Sequence, residues 1–217
     1  MNYTYRLLSQ EQVFGEKRID LISAIGTECS VSDFAVISGA DVSENGTGKW
    51  FLSSASGYGD VCTVDQDGNQ RMSYATAHGS MRPVIECPDI TALPCRTVKD
   101  ISGFEEAEFG EYPQNTADRA LSRTLEQEFN EGRLIKTGKK YIAQYEEFQY
   151  DGSKYIRVPF TLENAHYLSD RRNYSQGDVV WVKVSPVRWL YDAKAGLLVS
   201  RTILASDVLF SSENYYD

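Results

Sequence analysis

Residues 49–86 read KWFLSSASGYGDVCTVDQDGNQRMSYATAHGSMRPVIE, and this stretch decides the fold class. It opens on an aromatic and aliphatic triplet, Trp50-Phe51-Leu52, and passes through the small-residue segment Ser53–Gly59. Val61-Cys62-Thr63-Val64 follows, then a polar turn at Asp65–Asn69, a second polar run, and the closing strand Arg82–Ile85. Asp67-Gly68 is a strong hairpin signal, because glycine accepts the positive φ that tight hairpin turns require. The pattern predicts a buried strand, an exposed hairpin and a return strand to the core. Trp50, Leu52, Val84 and Ile85 are expected inside, since a strand buried on both faces reads as a continuous apolar run. The side chains of Ser53–Ser80 are expected mostly in water.

The composition sets the outer bounds. A chain of 217 residues suits one large domain or two small ones and can bury a sizeable core. Aromatic residues make up 12%, with 14 tyrosines, which suits sheets and binding surfaces alike. A net charge of −9 and an isoelectric point near 4.8 argue against nucleic acid as a partner, which would need a basic footprint. No apolar run is long enough for a membrane-spanning helix. Met1–Arg6 lacks the charged start and apolar core of a signal peptide, so the expected location is a virion or the cytoplasm. The four cysteines, Cys29, Cys62, Cys87 and Cys95, are too sparse for a disulfide scaffold and form no zinc-type pair. Cys87 and Cys95 bracket a short proline-bearing loop that a disulfide could close. Free thiols are the favoured expectation in a chain without a signal peptide.

Outward from the central stretch, residues 3–8 suggest a first strand. Glu11–Ile25 carries Val13, Ile19, Ile22 and Ile25 at roughly helical spacing, and Gly26 suits its end. Ser30-Val31-Ser32-Asp33 resembles a capping box opening a helix over Val31–Ser38. The proline-bearing segment Glu86–Thr97 sets a boundary between an N-terminal part, 1–94, and a C-terminal part, 95–217, which could also form one composite domain. Glu106–Gln114 predicts a strand ended by proline. Asn115 is expected to cap a helix over Thr116–Asn130, with Ala117, Leu121, Leu125 and Phe129 on one face and Arg119, Arg123, Glu126 and Glu131 on the solvated side. Beyond Lys139 the period shifts to two. Strands are expected at Tyr141–Ala143, Glu147–Tyr150, Lys154–Val158, Val179–Val184, Val187–Tyr191, Leu197–Ser200 and Ile203–Phe210. The fold class expected is α+β, β-rich, with a mixed or antiparallel sheet and a few helices.

No catalytic motif stands out, and no catalytic residue, metal ligand or cofactor is assigned. Asp65–Asn69 begins like a calcium loop, but an EF-hand places glycine sixth and glutamate twelfth, where this chain has Gln70 and Thr76. Cys62 with His78 lacks a visible orienting group. Arg171-Arg172 reads as a loop charge pair. More informative is the set Ser54, Ser56, Tyr58, Asp60, Asn69, Arg71, Ser73, Tyr74, Thr76 and His78. Rigid aromatics interleaved with small polar residues are the chemistry of recognition surfaces. Tyr58, Tyr74 and His78 would be the anchors of such a surface.

Two segments carry a resemblance. The run from Asp33 to Glu86, with Trp50-Phe51-Leu52-Ser53-Ser54 and Gly79-Ser80-Met81-Arg82-Pro83-Val84-Ile85, resembles the closing half of a C-type-lectin-like domain. That domain type includes relatives of the formylglycine-generating enzymes and variable phage receptor-binding proteins. Phe109-Gly110-Glu111-Tyr112-Pro113-Gln114, with Pro186-Val187-Arg188-Trp189 and Leu197-Leu198-Val199-Ser200, is similar to its opening half. Ser80 and the missing arginine after Trp50 depart from the pattern, and the halves come in reversed order, which implies a permuted domain or two interlocked subdomains. Across residues 20–210 the chain resembles a group of uncharacterised proteins of gut bacteria and their phages. The resemblance implies a non-enzymatic binding or structural module, such as a fibre, decoration or receptor-binding subunit of a phage or prophage virion. Its partners would be a protein or glycan surface ligand or other virion subunits, with a homo-oligomer expected. The alternative is an enzyme of unknown type on a formylglycine-generating-enzyme-like fold. The catalytic cysteines of those enzymes match no position in this chain.

Overall fold

Alternating and continuous apolar runs dominate the sequence, and strands dominate the computed structural model. It describes residues 5–55, 59–93, 96–99, 103–163 and 166–209. The chain begins with β1 (Tyr5–Arg6), α1 (Gln10–Val13), α2 (Asp20–Ile25) and α3 (Asp33–Ile37). Then come β2 (Trp50–Ala55), β3 (Asp60–Val64), β4 (Gln70–Tyr74), β5 (His78–Met81) and β6 (Val84–Glu86). After a 3₁₀ turn at Ile90–Ala92 follow β7 (Arg96–Lys99), β8 (Glu105–Thr116) and α4 (Arg119–Asn130). The remainder is β9 (Ile135–Tyr141), β10 (Tyr145–Tyr150), β11 (Ser153–Pro159), β12 (His166–Tyr167), β13 (Asn173–Tyr174), β14 (Val179–Asp192), β15 (Leu197–Ser200) and β16 (Ala205–Leu209). Every strand pair with a described register is antiparallel, and with four helices among the described residues the architecture is α+β.

The chain divides into two compact units, each drawing on separated stretches. The first comprises residues 1–31, 40–110 and 187–217, and the second 32–39 and 111–186. Residues 94 and 95, where the sequence suggests a boundary, lie outside the described residues.

In the first unit β6 lies between β1 and β15, and β15 pairs on with the C-terminal part of β14. Trp50, Leu52, Val84 and Ile85 are all fully buried, as their continuous apolar runs predict. Arg82, 1% exposed, lies over the Trp50 indole at 5.3 Å, and its Nε donates to the Ser200 carbonyl. Its Nη1 has no hydrogen-bond partner among the described residues, and the indole face and the Ser200 carbonyl both stand against this buried charge. Cys29 and Cys62 are buried free thiols, and burial pushes both thiols up. Cys87 is buried, and Cys95 lies outside the described residues.

In the second unit α4 covers a sheet of β9, β10, β11 and the N-terminal part of β14. Leu125 is fully buried in a cluster with Ala117, Phe148, Tyr155 and Trp181, while Leu121 and Phe129 pack against it from the side. Glu126 turns along the same sheet face. Its carboxylate accepts from Arg157 and from the Trp181 indole N–H. The hairpin at Asp151-Gly152 has both residues at positive φ, 47° and 70°, as the sequence dipeptide requires. Buried Asp33 accepts from the backbone N–H and hydroxyl of both Thr116 and Ser169, which ties α3 to the end of β8 and to the turn at Ser169.

Several element boundaries differ from expectation for local reasons. The Glu11–Ile25 helix is two short helices, because the chain turns at Phe14–Ile19 and Gly15 leaves no room for a side chain beside Glu11. Ser32, not Ser30, caps α3, and Asp118, not Asn115, caps α4. Residues 142–143 form no strand, since Ile142 and Ala143 both adopt positive φ in a turn. Val179–Tyr191 is one strand through Pro186. Neither the β11 ladder, which ends at Val184, nor the β15 ladder, which begins at Trp189, uses a donor at Pro186. The Gln114 side-chain amide donates to the Ser185 and Pro186 carbonyls across the same gap.

Candidate functional site

The β3–β4 hairpin is built from the inside. Val61 through Val64 are all buried and form the exception in a segment, Ser53–Ser80, whose other described residues mostly reach water at least in part. β3 is the central strand of its sheet, paired with β2 through Trp50↔Val64 and Phe51↔Thr63 and with β4 through five consecutive residues, and Val61 packs with Phe51 and Ala75. The turn tip is also held. Gly68 is buried at φ 79°, its carbonyl accepts from the Thr27 hydroxyl, and a Cβ there would meet that hydroxyl at 2.5 Å. Only a residue without a side chain fits this approach.

Asp65 organises the turn. One carboxylate oxygen accepts from the backbone N–H of Asp67 and of Asn69, and the other faces Arg71. Desolvation works to raise its carboxyl, and the hydrogen bonds from Asn69 and Asp67 with the Arg71 charge outweigh it, holding Asp65 below the usual range. Its lone pairs are therefore spent on the turn. Among the described residues no group of three or more His, Cys, Asp and Glu side chains converges as a metal cage.

The residues suggested by sequence fall into separate roles. Ser56 and Tyr58 lie outside the described residues. The Ser54 hydroxyl accepts from the Gln10 N–H and so fixes the start of α1. Arg71 pairs with Asp65, and Asn69 closes the turn through its carbonyl. Thr76 is an exposed turn residue. His78 stands on β5, where its Nδ1 contacts the carboxylate of Asp207 on β16, both exposed. Asp60 and Tyr74 come together directly, as opposite partners across β3 and β4.

Around that pair lies a hollow of about 330 Å³, lined by Asp60, Met72, Ser73 and Tyr74. Tyr74 is 69% exposed and Met72 50%, both on the strand at the edge of the three-stranded sheet. Met72 and Tyr74, two residues apart on a strand, share one face. The Ser73 hydroxyl accepts from the Lys49 ammonium at 3.1 Å, which places a cation beside the rim. The hollow thus offers an aromatic face, a thioether, a carboxylate and a hydroxyl. Sequence reasoning missed Met72 and Lys49. The signal for Met72 was its alternation with Tyr74, visible only once Gln70–Tyr74 is known to be an edge strand.

Among the described residues no helix is long and apolar enough to cross a membrane. No protein-family model, no curated protein and no solved structure matches the chain.

Proposed function

We propose that the protein is a non-enzymatic recognition module that engages a glycan or protein surface through the outer face of β4. The observation that carries this reading is the exposure of Tyr74 and Met72 side by side on an edge strand, beside the hollow they line with Asp60 and Ser73. Large exposed apolar side chains rimmed by polar groups mark interaction sites. A sugar ring stacks its C–H face on an aromatic ring, while a carboxylate and a hydroxyl alongside take its hydroxyl groups. The rigid strand backing means that little order must be imposed on binding. The C-type-lectin-like pattern around Trp50 and Arg82-Pro83 supports placing such a module in a phage or prophage virion, as a fibre, decoration or receptor-binding subunit.

The test is retention of the labelled protein on an array of bacterial surface glycans, with Met72→Ala/Tyr74→Ala as the comparison. The variant should keep its melting temperature, because both side chains stand largely in water, and should lose retention by about tenfold or more, as loss of aromatic anchors does. Retention equal to that of the unmodified chain would overturn the assignment of this face. Turnover of a small substrate that single replacements abolish would establish an enzyme instead.

A further inference from the structure

In the second unit a cleft of about 480 Å³ is lined by Arg119, Arg123, Arg172, Asn173, Tyr174 and Asp178. We propose that this cleft binds a tetrahedral oxyanion ester, a phosphate or sulfate group carried on a polar ligand.

The first support is charge left unpaired. Arg119 and Arg123 lie four residues apart on α4 and therefore on one face, one turn from each other. Both are exposed, and neither forms an ion pair or hydrogen bond with a described residue. In this acidic chain, with 31 Asp and Glu against 22 Lys and Arg, unpaired neighbouring arginines are not the default. Elsewhere in the same unit Arg133 is held by Glu128 and Arg157 by Glu126. The like charges on α4 repel each other and destabilise the helix slightly, a cost that an anion between them would remove.

The second support is that the third arginine is built in. Asp170, largely buried, accepts from the Arg172 Nε and from the Tyr174 hydroxyl. The Arg172 Nη2 donates to the Ala117 carbonyl and the Ser122 hydroxyl, each at 3.1 Å. The guanidinium also stacks over the Tyr174 ring at 4.8 Å. The guanidinium is thus held on three sides before any ligand arrives. A guanidinium whose plane is locked in advance loses little entropy when it takes an oxyanion. Asp178 accepts from the Ser175 N–H and keeps its negative charge at the rim, where it offsets one of the arginines. With Asp170 balancing Arg172 and Asp178 on the rim, Arg119 and Arg123 leave a positive excess. The volume falls within the range of small-ligand sites, and the forked donors match phosphate and sulfate oxygens.

The experiment is calorimetric titration of the full chain with a hexose phosphate, the matching hexose sulfate and the unmodified hexose. Saturable binding of at least one ester, none of the neutral sugar, and weakening with added salt are expected. Tighter binding of the phosphate or of the sulfate ester identifies which group the cleft serves, and either supports the proposal. Arg119→Gln/Arg123→Gln should retain its melting temperature and weaken ester binding about tenfold or more, the loss expected for charge-assisted contacts. Arg123→Glu, which reverses one charge on the exposed face, should abolish binding. The proposal is overturned by no saturable binding of either ester, by equal binding of the neutral sugar, or by unchanged affinity in folded Arg119→Gln/Arg123→Gln.

Discussion

Replacing Leu125 by alanine tests the construction of the second unit. Leu125 is 0% exposed and sits where α4 meets the sheet, among Ala117, Phe148, Tyr155 and Trp181. Truncation at such a site costs the lost transfer energy plus a cavity term, together about 2–5 kcal/mol. The upper part of that range applies here because the surroundings cannot close in. Phe129, Phe148 and Trp181 form a triangle of edge-on ring contacts with centroids 5.5–5.9 Å apart, so each ring is braced by the other two. Trp181 is further anchored by its indole N–H on Glu126 at 2.9 Å. A loss of about 3–5 kcal/mol is therefore expected. Urea unfolding followed by tryptophan fluorescence reads it, with the midpoint shift multiplied by the slope. Leu121→Ala is the internal comparison and should cost clearly less, because Leu121 is only half-buried at the cluster edge. A loss below about 1 kcal/mol at Leu125, or a larger loss at Leu121, would refute the packing argument.

Three further outcomes follow from polar groups. Hydrogen bonds from Arg157, helped by the Trp181 indole N–H, hold the Glu126 carboxyl below its ordinary value. Its stabilising contribution is present above the unfolded value near pH 4.3 and is lost as the pH falls through the lowered folded value. Glu126→Gln should thus lower stability by about 0.5–1 kcal/mol at neutral pH, allowing for solvent screening of a one-third-exposed pair, and by nothing at the acid end; a pH-independent difference contradicts this. Asp33→Ala strands four donors of Thr116 and Ser169 and should cost about 2–4 kcal/mol in denaturant unfolding, whereas a change under about 0.5 kcal/mol would mean that these bonds are replaceable by solvent. Calcium titrated into the chain should give no binding heat, because Asp65 already spends its oxygens on Asp67, Asn69 and Arg71; a micromolar response removed by Asp67→Ala would count against that account.

What the sequence discloses depends on whether a signal is local. Period and turn chemistry are local, so Asp67-Gly68, Asp151-Gly152, the apolar stripe of α4 and the core residues around Trp50 and Val84 were all readable. Cap positions were missed by two or three residues, since Asn115 and Asp118 are equally able caps, and the choice falls to where β8 releases the chain. Pro186 falls between the strands expected at Val179–Val184 and Val187–Tyr191, and one strand runs through it because the β11 ladder ends before it and the β15 ladder begins after it. The candidate sites are less legible still. Asp60 and Tyr74 were both suspected, yet the sequence also offered Ser54, Asn69 and Arg71, whose side chains or carbonyls prove to be spent on internal bonds. Free and spent polar groups look alike in a sequence, because the partner that consumes them is set by folding. The arginine cleft shows this most clearly. Arg119 and Arg123 read as a solvated helix face and Arg172 as half of a loop pair. Their meeting depends on Asp170 and Tyr174 fixing Arg172 against the Ala117 carbonyl, some fifty residues away in the chain, and no spacing rule reaches that far.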